Sequence, residues 1–289
     1  LLNALATLER SMTIDYESAY DNRAHVPEHP QIFARYAREG AAFREEAKGQ
    51  ATLGIPYGPS PRQYYDLFAP SPDGPVAMFI HGGYWRATDP SMYSQHARGV
   101  FAHGVTVAVA GYDLSPQVTL ATIIDQVRQA AIAVWKRTHR PVTVYGHSAG
   151  GHLSACLLAT DWKAIDTTLP ADLVPAAYAV SGVFDLTPLV HTSMNGDYKL
   201  DEAGARAISP LHWPAPAGRT LDAVVGGAEL PEFIRQSRQM ADTWGRAGVR
   251  THYEELPGAN HFTAVDPLTD PASSMTARMV ELAKQAQNQ

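Results

Sequence analysis

The 289-residue sequence predicts an α/β fold, with a mostly parallel sheet and helices on both faces. Three observations carry that expectation. Short runs such as VAMFI (76–80), VTVAVA (105–110) and VTVY (142–145) have almost no polar break, as strands buried on both faces require. Segments of helical period separate them. From residue 76 onward the two kinds alternate, which is the pattern of strand, crossover helix and parallel strand.

Each element follows from local pattern. The first fifty residues read as an N-terminal helical segment with loops, periodic after Pro30, able to brace the protein or cover a site. From Arg62 the period falls to two: RQYYDLFAP reads as a strand, SPDGP as a turn and VAMFI as the first buried strand. A helix within 90–103 leads to VTVAVA, and a helix over about 118–136 leads to VTVY. Then come a helix from Ala149, the strand AAYAVS ending at Ser181, LDAVV (221–225), a helix from Pro231, THYEEL (251–256) and a last helix beyond Pro271. Residues 184–216, rich in Asp, His, Pro and Trp, break the rhythm and are too long for an ordinary connection. They read as a cap or substrate-facing insertion within a single domain covering 1–289.

Composition narrows the function classes. A content of 45% hydrophobic and 18% charged residues fits a packed core rather than a disordered chain. Twenty-three basic against 29 acidic residues give a formal charge of −6, with no basic run interleaved with aromatics, so nucleic acid is not an expected partner. No apolar run reaches the roughly 20 residues that cross a bilayer, so no membrane partner is expected either. The opening LLNALATLER lacks the basic and long apolar parts of an export signal, which makes the cytoplasm the default location. The chain starts without methionine, so a targeting segment removed before Leu1 would leave no trace. The single cysteine, Cys156, lies in the apolar run LSACLLAT and reads as a small core residue. The sequence is compatible with a homodimer and does not distinguish a dimer seam from an exposed helix face.

No cofactor or metal is expected. No G-x-G-x-x-G opens a dinucleotide unit, and no glycine loop ends in GK[ST]. In HVPEH the histidines His25 and His29 are four apart, but the proline between them and the wrong letters exclude the zinc-protease helix.

The chemistry concentrates at strand ends. Gly146-His147-Ser148-Ala149-Gly150 is a G-x-S-x-G pattern directly after one expected strand and before one expected helix. Glycines beside the serine let the chain turn sharply, so that the Ser148 hydroxyl is exposed as a nucleophile. A serine alcohol needs a base, and the base needs an orienting partner. His147 and His152 are close in sequence but badly placed, the one directed away from the active side of the turn and the other one helical turn along an apolar segment. His261, in the late loop LPGANHFTAVD, suits the order serine, acid, histidine. HGGYW, from His81 to Trp85, follows the strand VAMFI, and its glycines bring N–H groups near Gly82 and Gly83 up to a substrate. With the Ala149 N–H they form an expected oxyanion hole.

On these motifs the sequence resembles the alpha/beta-hydrolase superfamily, and within it the kynurenine formamidase-like (arylformamidase-like) serine hydrolases. The resemblance runs from about Tyr16 to the C-terminal helix and rests on HGGYW, YDLSPQVTL, GHSAGGHLSA, SGVFDLTPL, GGAELPEF and NHF. It implies the alpha/beta-hydrolase fold and an acid, normally aspartate, about thirty residues before the histidine. Glu229 matches that position, 32 residues before His261. Its extra methylene demands a displaced loop or ring, which leaves Asp185 and Glu232 as rival acids. Tyr84, Trp85, Phe184 and Trp213 are expected to contact substrate, and Tyr112 and Pro116 to shape a loop.

The expected function is therefore hydrolysis of small carboxylic esters or aryl formamides through a Ser148 acyl-enzyme, with Ser148, His261 and Glu229 as triad. An acyltransferase with a non-water acceptor and a non-catalytic binding protein on a hydrolase scaffold are the alternatives.

Overall fold

The computed structural model describes residues 14–288. Eight strands form one sheet in the order β1-β2-β4-β3-β5-β6-β7-β8. They are β1 (Ala51–Pro56), β2 (Tyr64–Phe68), β3 (Val76–Ile80), β4 (Thr106–Ala110), β5 (Val142–His147), β6 (Ala176–Val180), β7 (Thr220–Gly226) and β8 (Arg250–Leu256). β2 runs antiparallel to both β1 and β4, while β4, β3, β5, β6, β7 and β8 are mutually parallel.

Side-chain alternation puts a core on each face. Val76, Met78 and Ile80 of β3 join one cluster with Val127, Leu153 and Trp244, which lie on α2 (Leu120–Thr138), α3 (Ala149–Leu158) and α4 (Pro231–Arg246). Ala77 and Phe79 join the other with Tyr36 and Phe43 of α1 (His29–Glu46) and with Met279 and Leu282 of α5 (Ser274–Gln287). The unbroken apolar runs thus serve two helical layers, as expected for strands covered on both sides. Among the described residues no helix is long and apolar enough to cross a membrane.

The strand β1 was not legible beforehand. ATLGIP lies at the sheet edge, exposes most of its side chains and contains Gly54 at φ +69°, with a register shift between Thr52 and Ile55. An exposed, irregular edge strand has no apolar alternation to reveal it. Pro30 stands in the first turn of α1, where its missing N–H costs nothing. Of the expected N-terminal segment, residues 1–13 lie outside the described residues. Residues 184–216 form short helical turns at Thr187–His191, Asn195–Tyr198, Glu202–Ala207 and Pro210–His212.

Parallel strands send their C-terminal ends the same way, and ligands of such sheets bind beyond those ends. The loops after β3, β5, β7 and β8 carry Gly82, Ser148, Glu229 and His261 respectively.

Candidate active site

Ser148 sits between β5 and α3 at φ 57° and ψ −116°, a conformation that costs an ordinary residue on the order of 1–3 kcal/mol. Neighbouring contacts hold it there. The Ser148 N–H donates to the Val180 carbonyl at 2.8 Å. A β-carbon at Gly146 would collide with the Gly150 carbonyl, and one at Gly150 with that of Ile80, so only glycine fits on either side. The turn therefore presents the serine at the start of α3, where N–H groups lack intrahelical acceptors.

His261 and Glu229 meet in a buried contact of 2.6 Å between Nδ1 and Oε2. The other carboxylate oxygen accepts the Ser181 hydroxyl and the Gly226 N–H, the latter at 2.7 Å. Glu229 thus bends back over its own turn, and its extra methylene is accommodated at Gly226, where an added β-carbon would lie 3.1 Å from Glu229 Cγ. With Nδ1–H on the carboxylate, Nε2 is the nitrogen left for chemistry. The His261 ring packs against Phe233 and His147, with centroids 4.6 and 4.8 Å away.

Gly82, Gly83 and Ala149 have no acceptor for their N–H groups among the described residues. The loop that carries the two glycines is pinned from beneath. Thr88 Oγ1 donates to the Gly82 carbonyl at 2.8 Å, and the buried His81 ring stacks on Tyr112 at 4.3 Å. Burial pushes His81 down to about 4, so this pinning ring stays neutral. Gly83 adopts φ +108°, beside Tyr84 and Trp85 at φ 51° and 54°.

Ser148 and His261 line one cavity of about 450 Å³ with Gly83, Tyr84, Tyr93, His147 and Phe262. No hydrogen bond links Ser148 to His261, a contact that can tighten only once substrate is bound. Residues of the N-terminal segment, among them Tyr20, Asn22 and Phe33, and Ser193, Met194 and Asp197 of the 184–216 segment also line the cavity. Tyr84 is fixed there by donating to the Tyr20 carbonyl at 2.6 Å and accepting from Asn22 at 3.1 Å.

The rival acids lie elsewhere. Glu232 accepts Tyr20 Oη at 2.9 Å and two nitrogens of Arg235, each at 2.8 Å. Asp185 accepts the Thr187 N–H and hydroxyl and lies 3.5 Å from His212. Neither is hydrogen-bonded to His261.

Three of the four expected substrate contacts require correction. Trp85 is wholly buried and stacks edge-on against His152 and Tyr198, because the positive φ at Tyr84 and Trp85 turns the indole into the core. Phe184 is also wholly buried, in the core cluster of α2, α3 and α4. Trp213 donates to the Ala207 carbonyl and lies under Arg128, away from the cavity lining. Tyr84 alone of the four lines the cavity. Tyr112 donates to the His81 carbonyl at 2.8 Å and so supports the glycine loop.

The sequence pattern allows the N-terminal segment to cover a site, but it marks neither Ser181 nor the individual residues Tyr20 and Asn22. Ser181 follows an apolar strand just as Ser148 does, but no flanking motif marks it. Tyr20 and Asn22 reach the site across more than sixty positions of sequence, for which no local signal exists. His25 and His29 are occupied with backbone carbonyls of Ala228 and Val26.

Residues 77–265 match the family of the alpha/beta hydrolase fold. A kynurenine formamidase of Danio rerio is 28% identical over 270 residues, 90% of this chain and 88% of that protein. One of Salmo salar is 30% identical over 251 residues, 82% and 84% respectively. Among solved structures, a proposed thioesterase from Silicibacter sp. TM1040 matches with a TM-score of 0.79 and 34% identity, over 92% of this chain and 98% of that one. An esterase of Pyrobaculum calidifontis shares the fold at a TM-score of 0.66 and 15% identity, over 90% and 92% of the two chains. Sheet order, serine turn and sequence similarity agree: the chain belongs to the alpha/beta hydrolase fold family, in the group that includes the kynurenine formamidases.

Proposed function

We propose that the chain is a serine hydrolase that cleaves short carboxylic esters or aryl formamides through an acyl-enzyme. The observation that carries this reading is the buried Glu229–His261 contact, made at the wall of the cavity into which the strained Ser148 turn opens.

The reaction follows from that arrangement. His261 Nε2 takes the proton as Ser148 Oγ attacks the substrate carbonyl carbon, while Glu229 accepts the hydrogen bond from Nδ1–H, which stays on the ring, and stabilises the imidazolium. Negative charge growing on the carbonyl oxygen is met by the unpaired N–H groups of Gly82, Gly83 and Ala149. His261 then hands its proton to the leaving alcohol or amine. A water, deprotonated by the same nitrogen, attacks the acyl-serine, frees the acid and restores the hydroxyl.

The cavity favours small, flat substrates. Its volume of about 450 Å³ suits a single small molecule, and the rings of Phe33, Tyr84, Tyr93 and Phe262 offer faces to an aryl group. The similarity to kynurenine formamidases supports the formamide and the esterase-like fold neighbours the ester.

A panel of short aryl esters, aryl formamides including N-formylkynurenine, and short acyl thioesters tests the reading. Thioesters enter because the Silicibacter relative is described as a thioesterase. Wild-type protein is expected to release phenol or amine and Ser148→Ala to release neither. Full activity in Ser148→Ala would refute the serine mechanism, and product ester or amide formed in the presence of added alcohols or amines would favour acyl transfer over hydrolysis.

A further inference from the structure

We infer that His147, the residue next to Ser148, is a positioning residue that sets where the His261 imidazole stands relative to the serine; this role rests on the serine-hydrolase reading above. His147 ends β5 and is almost wholly buried. Its Nε2 lies 2.7 Å from the main-chain carbonyl oxygen of His261 itself. A carbonyl only accepts, so Nε2 carries the proton and Nδ1 is the bare nitrogen.

Glu229 holds the His261 ring, while the other main-chain contacts of this loop are made by the neighbours of His261. Asn260 Oδ1 accepts the N–H groups of Phe262 and Thr263, each at 3.0 Å, and the Tyr36 hydroxyl donates to the Phe262 carbonyl. The Ala259 carbonyl accepts the Ala228 N–H at 3.0 Å. The carbonyl of His261 is held by His147. Because His147 is covalently joined to Ser148, this hydrogen bond ties the base to the residue adjoining the nucleophile, the shortest route by which their separation can be set.

The same ring also lies close to the glycine loop. A β-carbon at Gly82 would stand 3.3 Å from His147 Nδ1 and 3.1 Å from Ser148 Cβ. One side chain therefore packs between the oxyanion loop, the serine turn and the base loop. Burial, reinforced by the adjacent His261, pushes His147 well below the usual histidine range. It stays neutral when His261, one ring away, acquires its charge. The His147 hydrogen bond is to the His261 main chain and to no atom of the Ser148 or His261 side chains, so it acts through the placing of His261.

The test compares His147→Phe, which keeps a ring but removes the donor, with His147→Gln, whose amide nitrogen can reach the same carbonyl. Both are assayed on a short aryl ester, with competent sites counted by end-point labelling of Ser148 with a fluorophosphonate. Displacing a base by a fraction of an ångström to an ångström costs roughly 10- to 100-fold, so His147→Phe should lose about that factor in kcat per labelled site, with KM moving less than about threefold. His147→Gln should recover most of the loss. A purely structural histidine would instead change the number of labelled sites and the thermal midpoint, with kcat per site intact. Undiminished kcat per labelled site in His147→Phe, or a folded His147→Gln no better than His147→Phe, would overturn the role. If His147→Phe yields no labelled protein, His147→Asn, too short to reach the carbonyl, carries the same expectation. Activity that survives Ser148→Ala overturns the serine reading and this role together; serine-dependent activity with an unaffected His147→Phe overturns this role alone.

Discussion

The cavity has two unlike walls. One is made by strand ends: Ser148, His261 and the glycine loop are buried or strained, with Glu229 behind His261, and each is held by main-chain or buried polar contacts. The other is formed by residues of the 16–33 segment and by Ser193, Met194 and Asp197, and it covers the cavity. It is joined across its outer edge by exposed contacts, in which Glu17 accepts the Ser193 N–H and hydroxyl at 2.6 Å each and Tyr16 stacks on His191 at 5.8 Å. Exposed polar contacts contribute little stability, whereas buried ones cannot be broken without leaving an unpaired group. The cover is also tied from within, by the buried Tyr20 hydroxyl on Glu232 and Tyr84 on the Tyr20 carbonyl, so only its outer edge is lightly held. On the proposed reading, reaction chemistry belongs to the strand-end wall and selection among substrates to the cover.

The widest gap between the two walls should come from Ser148→Ala. Loss of the nucleophile lowers kcat by roughly 10⁴-fold or more, measured as phenol release from a short aryl ester. No substitution in the cover should approach that figure.

Glu229→Gln sharpens the choice of acid. Replacing the orienting carboxylate with an amide lowers kcat by about 10³- to 10⁴-fold, as expected when the histidine loses its tautomer. Glu232→Gln and Asp185→Asn, whose carboxylates are bound to other partners, should change kcat less than about tenfold. Equal losses for Glu229 and Glu232 would erase the distinction.

Stability should depend on pH through three buried histidines. Burial lowers His81 and His152 to about 4 and His96 to about 3, from an ordinary 6.5. Between those values the unfolded chain binds more protons than the folded one, so stability falls as pH drops below 6.5. Each histidine contributes a slope of about 1.4 kcal/mol per pH unit in that window. Urea midpoints should therefore decline steeply from pH 7 to pH 5, and a flat profile would contradict the buried, neutral state of these rings.

The smallest effect is expected at the cover. Ser193→Ala removes the hydroxyl bond to Glu17 and should alter KM for bulky aryl substrates by only about two- to fivefold, with kcat on small esters little changed. A loss of kcat on every substrate would mean that the cover takes part in the chemistry.

The parts legible in sequence are those with a local signal. The buried strands, the helices between them and the serine turn rest on contiguous residues, whose period and glycines reveal them. The irregular edge strand β1 has no such period. The aromatic residues misled because ring chemistry suits a core and a pocket equally. Trp85 follows Tyr84 directly, yet the backbone turns one ring inward and leaves the other on the cavity wall.

The sequence by itself determined a mostly parallel sheet with helices on both faces and the turn that carries Ser148, because those depend on neighbours along the chain. Tertiary structure alone decided that Glu229, and neither Glu232 nor Asp185, contacts His261, that His147 reaches the His261 carbonyl, and that Tyr20 and Asn22 close the cavity. Those contacts join segments brought together by strand order, and a carboxylate or a ring carries no mark in sequence of the distant partner it will meet.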